Sequence, residues 1–311
     1  MKRVFIDGSA GTTGLRIRDR LASRRDLELV VLPEDRRKDL SARREALNAA
    51  DVAFLCLPDA AAIEAAALVE NPETVVIDTS TAHRTAEGWQ YGFPELEGRR
   101  ARLRTAKRIA NPGCHASGFI ALVEPLVRLG LVSPDAPLTA FSLTGYSGGG
   151  KKMIAEYEST EDPAFKGGRQ YALAQTHKHL PEMVKVCGLD RAPVFAPIIV
   201  PHASGMETSV LLHGDCVKGG VEAVSACYRE VYGRETVVRF APAEELPAVL
   251  SSALMHSYDD MLVTVHGNDE RLVLTALFDN LGKGASGAAI QNMNIALGVC
   301  ETEGLRLKSR T

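Results

Sequence analysis

The chain has 311 residues, 45% of them hydrophobic, and a formal net charge of -3. That is ample for a core in one large domain or two moderate ones, and the charge balance argues against a surface built for nucleic acid. No apolar run approaches a membrane span, the first seven residues reach a glycine too soon for a signal peptide, and the six cysteines lie far apart with no C-x-x-C pair, which fits a reducing cytoplasm rather than a disulfide framework or a zinc knuckle.

Val4-Phe5-Ile6 reads as a short apolar strand, followed by a glycine-rich loop and a helix from about Leu15 to Ser23. Strand, loop and helix together make the nucleotide-binding start of a Rossmann unit. The spacing in Gly8-Ser9-Ala10-Gly11-Thr12-Thr13-Gly14 is G-x-x-G-x-x-G, because Ala10 stands where the usual fingerprint has its second glycine. The three glycines still permit a tight turn and close backbone approach to a pyrophosphate at the helix N-terminus. The alternative is any glycine-rich strand-to-helix turn.

Leu27 to Leu32 is the second strand. A NAD-preferring unit ends this strand with an acid for the ribose hydroxyl. Here Glu34-Asp35 are followed at once by Arg36, Arg37 and Lys38, which suit a 2′-phosphate and hence NADP, or else form a solvated charge run. Val52–Leu57 and Thr74–Asp78 are continuously apolar, as strands covered on both faces should be. The second of these runs into Thr79-Ser80-Thr81-Ala82-His83-Arg84, at the strand end where ligands gather in open α/β sheets. Ser80 falls in that segment as a candidate cofactor contact, and Arg84 is a candidate bidentate holder of a substrate carboxylate.

Asn111-Pro112-Gly113-Cys114-His115 is a turn, and the residues after it are apolar at helical spacing: Phe119, Ile120, Leu122, Val123, Leu126 and Val127. Cys114 should therefore sit on the first turn of a helix, where unpaired N–H groups and the helix dipole stabilise a thiolate. Such a thiolate attacks an acyl carbon near neutral pH. The plainer alternative is a small buried residue in a turn.

From Leu138 the strands become longer and alternate, and several follow one another without a full helix between them. That pattern implies a mixed or antiparallel sheet in a second, α+β domain. Gly145-Tyr146-Ser147-Gly148-Gly149-Gly150-Lys151-Lys152 nearly matches a P-loop, but Lys152 replaces the hydroxyl that would hold magnesium. A kinase is thus a remote alternative, and the loop with Ser147 and Lys151 is a candidate for the phosphate of an acyl-phosphate substrate. His177 and His179 are too sparsely flanked to form a metal site, so no metal is expected. A cysteine nucleophile needs a base, and His177, His179, His115 and His202 are all candidates, with His115 poorly placed because it shares the turn of Cys114. A last helix, about Gly284 to Val299, is rich in glycine and alanine and should pack closely on the first domain.

With these segments assembled, the chain resembles the shorter-form N-acetyl-gamma-glutamyl-phosphate reductases, relatives of aspartate-semialdehyde dehydrogenase. The resemblance rests on G-S-A-G-T-T-G, L-C-L-P-D, D-T-S-T-A-H-R, Y-G-F-P-E-L, N-P-G-C-H, H-K-H-L-P-E and D-N-L-G-K-G-A-S-G-A-A-I-Q-N-M-N, in order along nearly the whole chain. It implies a Rossmann domain of residues 1–113 plus the C-terminal segment 284–311, and an α+β catalytic and oligomerisation domain of residues 114–283. By resemblance Cys114 carries the acyl group and His177 is the acid/base. Gly8 to Gly14 and the segment from Lys283 and Gly284 to Asn292 bind NADP(H), and Asn111 and His179 join the substrate site. It also implies a cytoplasmic homodimer or homotetramer that reduces an acyl phosphate. Aspartyl phosphate or a glutamyl phosphate on a carrier protein are the alternative substrates.

Overall fold

Val4 and Ile6 turn to one side of the first strand and Phe5 to the other, and this alternation builds the N-terminal half of the molecule. The computed structural model describes residues 1–309. Its contacts divide the chain into two compact units, one of Met1–Gly113 with Ala285–Leu305 and one of Cys114–Gly284 with the residues from Arg306 onward. The final two residues, Arg310 and Thr311, which the sequence assigns with segment 284–311 to the first domain, lie outside the described residues.

In the first unit β1 (Lys2–Asp7), β2 (Leu27–Val30), β3 (Val52–Leu55), β4 (Val75–Asp78), β5 (Gln90–Tyr91) and β6 (Arg108–Ala110) form one parallel sheet in the order β2-β1-β3-β4-β6-β5. Ile17 and Leu21 of α1 (Thr12–Leu21) cover the Val4 face. The same face takes Ala289, Ile290 and Met293 from the C-terminal helix, Gly287–Leu297. Leu47 of α2 (Leu40–Ala49) and Ala65 of α3 (Asp59–Ala67) cover the Phe5 face. A short α4 (Arg99–Leu103) completes the unit through Leu103. The chain runs outward from β1 to β2 and returns to β3 on the other side of β1, so the crevice at the carboxyl ends of β1 and β3 is the topological switch point.

Two boundaries differ from those expected. Helix α1 begins at Thr12, three residues before the apolar spacing becomes visible at Leu15 and Ile17, because Thr12 and Thr13 carry no periodic signal. The C-terminal helix is preceded by a π-helical turn at Gly282–Ser286 instead of starting at Gly284. The C-terminal helix is buried along nearly its whole length, including Gln291, Asn292 and Asn294, and each amide is paired inside the unit. Gln291 donates to Glu95 at 2.7 Å, Asn292 to the Gly92 carbonyl at 2.9 Å, and Arg24 donates to Asn294 at 3.1 Å.

The second unit opens with α5 (Cys114–Arg128) and continues through β7 (Thr139–Gly145), α6 (Gly150–Ser159), β8 (Arg169–Gln170), α7 (Leu180–Cys187), β9 (Val194–Val200), β10 (Met206–His213), α8 (Gly220–Tyr232), β11 (Val238–Phe240), β12 (Met261–Asn268) and β13 (Arg271–Phe278). Its seven strands lie in the order β11-β12-β13-β10-β7-β9-β8, with β7–β9 and β11–β12 parallel and the other pairs antiparallel. The mixed sheet is the one the alternating strands imply. Helix α5 packs on β10 and β13 and contains Pro125, whose missing N–H leaves the Ala121 carbonyl without its helical donor. The buried Tyr232 hydroxyl of α8 donates to that carbonyl at 2.7 Å, and Tyr228 donates to the Leu122 carbonyl at 2.6 Å. Among the described residues no helix is long and apolar enough to cross a membrane.

Candidate active site

The turn Asn111-Pro112-Gly113 leads from β6 directly into α5, so Cys114 is the first residue of that helix and is half-buried. The N–H groups of the first turn have no intrahelical acceptor and point past the sulfur. Two glycines let neighbouring chain approach. A Cβ on Gly118 would lie 2.5 Å from Thr208 Oγ1 and 2.9 Å from Phe278, so only glycine there lets α5 rest on β10 and β13. A Cβ on Gly284 would come within 3.0 Å of the Cys114 Cβ, and Lys283 beside it is 1% exposed.

The structure separates the histidine candidates. His177 Nε2 lies 3.5 Å from the Tyr171 hydroxyl, and its Nδ1 accepts the backbone N–H of His179 at 3.1 Å. Burial, and next the charge of Cys114, push the Tyr171 hydroxyl up, which puts thiol and phenol in one electrostatic neighbourhood. His179 is buried, with its ring centroid 4.7 Å from that of His177. His202 instead pairs its Nε2 with Ser252 at 2.9 Å. His115 turns inward: it is 2% exposed, with Nδ1 at 2.8 Å from Ser142 and Nε2 at 2.7 Å from Tyr171.

Burial, and then the charges of His177 and Lys178, lower the His115 pKa to about 3 from its ordinary 6.5. The folded state therefore keeps this ring neutral over a range in which the unfolded chain binds a proton, and stability falls as pH drops below the unfolded value. His202 and His266, both lowered chiefly by burial, act in the same direction. Urea unfolding should show a loss of about 2 kcal/mol from His115 alone between about pH 7 and about pH 5, and His115→Gln should flatten the profile by that amount. An unchanged pH slope in the variant would contradict the assignment.

The cofactor candidates gather at the switch point of the first unit. A cleft of about 630 Å³ is lined by Gly8, Ser9, Ala10, Arg37, Lys38 and Arg43, among others. Gly8 has φ +85°, and a Cβ there would overlap the Cys56 carbonyl oxygen; a Cβ on Gly14 would lie 2.5 Å from the Gly8 carbonyl oxygen. Gly11 meets only ordinary contacts, so its bareness leaves space for something other than protein. The hydroxyl of Thr12, at the start of α1, is buried with no partner, and Gly11 caps that helix without a side-chain bond. Arg37 lines the cleft while pairing with Glu34; Arg36 is exposed and does not line it. Sequence reasoning missed Arg43, which pairs with the buried Asp7 at 2.9 Å. Burial raises the Asp7 pKa against the opposing pull of Arg43. The available signal was a charge at a position that shares a helix face with Ala42, Ala46 and Leu47.

Other expected contacts are engaged locally. Arg84 donates to the carbonyls of Asn111 at 3.0 Å and Thr79 at 3.1 Å, and Ser80 donates to Asp78 at 2.7 Å. Asn111 is buried, donating to the Ala285 carbonyl at 3.1 Å and accepting from Asn292 at 3.2 Å. The Asn292 carbonyl oxygen is itself buried without a partner. Ser147 is buried and accepts from Asn280 at 3.1 Å, whereas Lys151 is exposed at the start of α6. Among the described residues no group of three or more His, Cys, Asp or Glu could hold a metal ion.

Residues 3–105 match the family model described as semialdehyde dehydrogenase, NAD binding domain, and residues 114–280 match the one described as semialdehyde dehydrogenase, dimerisation domain. A protein of Pseudomonas putida named N-acetyl-gamma-glutamyl-phosphate reductase 2 is 42% identical, over 97% of this chain and 98% of its own length. The N-acetyl-gamma-glutamyl-phosphate reductase of a Chelativorans species is 46% identical, over 95% and 98%. Among solved structures, aspartate semialdehyde dehydrogenase II of Vibrio cholerae has the same fold, with a TM-score of 0.73 at 16% identity over 96% of this chain and 99% of its own. The Candida albicans aspartate semialdehyde dehydrogenase, solved with NADP, superposes with a TM-score of 0.67 at 15% identity, over 96% of this chain and 99% of its own.

Proposed function

The chain belongs to the N-acetyl-gamma-glutamyl-phosphate reductases of the semialdehyde dehydrogenase family, and from that premise we propose how its residues carry out the reaction. It is an NADP-dependent oxidoreductase that reduces N-acetyl-gamma-glutamyl phosphate to N-acetylglutamate 5-semialdehyde and phosphate, a step of arginine biosynthesis. The observation that carries the assignment of residues is a cysteine on the first turn of α5 with His177 and Tyr171 in the same unit.

The Cys114 sulfur attacks the gamma carbonyl carbon, a C–S bond forms, and the acyl–oxygen bond to phosphate breaks. First-turn N–H groups of α5 stabilise the oxyanion. NADPH, when bound, supplies the hydride that takes the thioester to the aldehyde level. His177 moves the proton between sulfur and oxygen as the C–S bond breaks and the thiol is restored. Ser147 and Lys151 are assigned to the phosphate group and His179 to the acyl chain.

The cofactor fits the residues present. The space left at Gly11, the orphaned Thr12 hydroxyl and the uncapped N-terminus of α1 suit a pyrophosphate. Ser9, Ala10 and Thr13 complete that loop, and Arg37 and Lys38 in the cleft wall suit a 2′-phosphate. The orphaned Asn292 oxygen suits an amide donor such as a nicotinamide carboxamide. Lys283, Gly284 and Ser80 complete the assigned set.

A cytoplasmic homo-oligomer is part of the same reading. Helix α5 covers one face of the second sheet, while Val194 and Leu211, on strand positions facing away from the buried set, stay 60% and 41% exposed. A second copy is the proposed cover, in keeping with the dimerisation domain named for residues 114–280.

The test is phosphate-dependent NADP reduction, assayed with N-acetylglutamate semialdehyde and aspartate semialdehyde side by side. The first substrate is expected to be preferred by about 100-fold or more in kcat/KM. Equal rates, or preference for the second, would overturn the substrate assignment.

A further inference from the structure

Tyr171 and His115 have no part in the steps above, yet together with His177 they form a hydrogen-bond chain with only one consistent direction. The backbone N–H of His179 donates to His177 Nδ1 at 3.1 Å, so a neutral His177 must carry its proton on Nε2. That proton faces the Tyr171 oxygen at 3.5 Å, which leaves the phenolic proton for His115 Nε2 at 2.7 Å. His115 must then carry its own proton on Nδ1 and donate it to Ser142 at 2.8 Å, and Ser142 in turn donates to the Glu207 carbonyl at 3.1 Å. Reversing any link would strip His177 of both protons.

The backbone around Tyr171 is built to hold this arrangement. Ala172 and Gln175, between the tyrosine and His177, have φ of 52° and 57°, a left-handed conformation that neither side chain favours. Both ends are tied to β9: Tyr171 N donates to the Pro197 carbonyl at 3.1 Å, and the Gln175 side chain exchanges two bonds with the Phe195 backbone, at 2.8 and 2.9 Å. The Phe195 ring meets His115 and His177 edge-on, each with centroids 5.4 Å apart. His115 stays uncharged at working pH, so the far end of the chain does not reverse.

The geometry points to Tyr171 and His115 as positioning residues that hold His177 in its Nε2–H tautomer for the reaction proposed above. The inference depends on that reading for its purpose but not for its test. Nitrogen-15 spectra of histidine-labelled, full-length, cofactor-free protein report the tautomer of each ring directly. His177 should appear as Nε2–H and His115 as Nδ1–H. Tyr171→Phe should leave His177 in mixed tautomers and lower kcat about tenfold with KM within about twofold. His115→Gln, whose amide oxygen still accepts the phenolic proton, should keep the wild-type tautomer of His177. His115→Phe should reproduce the tyrosine variant, because the freed phenolic proton then turns toward His177. Should His115→Phe not fold, the other two variants decide. An Nδ1–H wild-type His177, or a His177 tautomer unmoved by Tyr171→Phe, overturns the inference. Lack of turnover on the acetylated acyl phosphate, with the tautomers as expected, overturns the functional reading alone.

Discussion

Replacing Cys114 by serine should lower turnover by about 10³-fold or more while leaving the fold and the affinity for NADPH unchanged. A hydroxyl fills nearly the same space but holds its proton far more tightly, so the dipole and the N–H groups at the start of α5 no longer yield an anion near neutral pH. Alkylation gives an independent reading. Burial pushes the Cys56 thiol up to about 12 and the Cys227 thiol to about 11, and raises Cys187 well above the ordinary range, so all three should resist iodoacetamide. Cys300 is exposed, and the Thr302 hydroxyl and N–H hold it below the ordinary thiol value, so it should react without consequence. In a Cys300→Ser background, inactivation should follow a single label, and peptide mapping should place it on Cys114. Near-normal turnover of Cys114→Ser would remove this sulfur from the chemistry.

His177→Gln should lower kcat by about 10²- to 10⁴-fold, the usual loss when a positioned proton carrier is removed. Glutamine keeps a donor and an acceptor of similar reach but takes no proton between sulfur and oxygen. His202→Gln is the matched control: that ring pairs with Ser252 and not with Tyr171, so the variant should stay within about threefold of the parent. Steady-state rates in both reaction directions check the contrast. If the two substitutions cost the same, the proton has another carrier.

Much of this site was legible before any coordinates. The glycine spacing after β1 and the Pro-Gly turn before an apolar helical run are local signals, and local signals place Gly8, Gly14 and Cys114 correctly in a loop and at a helix start. The base was not legible, because His177, His179, His115 and His202 differ only in what lies around them in space. The Tyr171 link was equally hidden: its segment has no periodicity, and the positive φ values at Ala172 and Gln175 occur at residues that do not announce them. Arg36 and Arg37 were indistinguishable as neighbours in sequence; a single helical step puts only Arg37 at the cleft. Arg84 and Asn111 carry polar groups that suit a ligand, yet in the folded chain they pair with carbonyls and with one another's surroundings.

The C-terminal helix has a consequence for how the molecule is made. Ala289, Ile290 and Met293 fill the face that Val4, Ile6 and Phe54 present, so the nucleotide-binding unit lacks part of its interior until nearly the last codon has been read. The usual vectorial order, in which the first domain to leave the ribosome is the first to fold, is therefore inverted. The intervening segment, contiguous from Cys114 to Gly284, can assemble its own sheet while the leading strands still wait, exposed on one side, for the tail. Nascent chains stalled before residue 285 should accordingly be the species that chaperones hold longest.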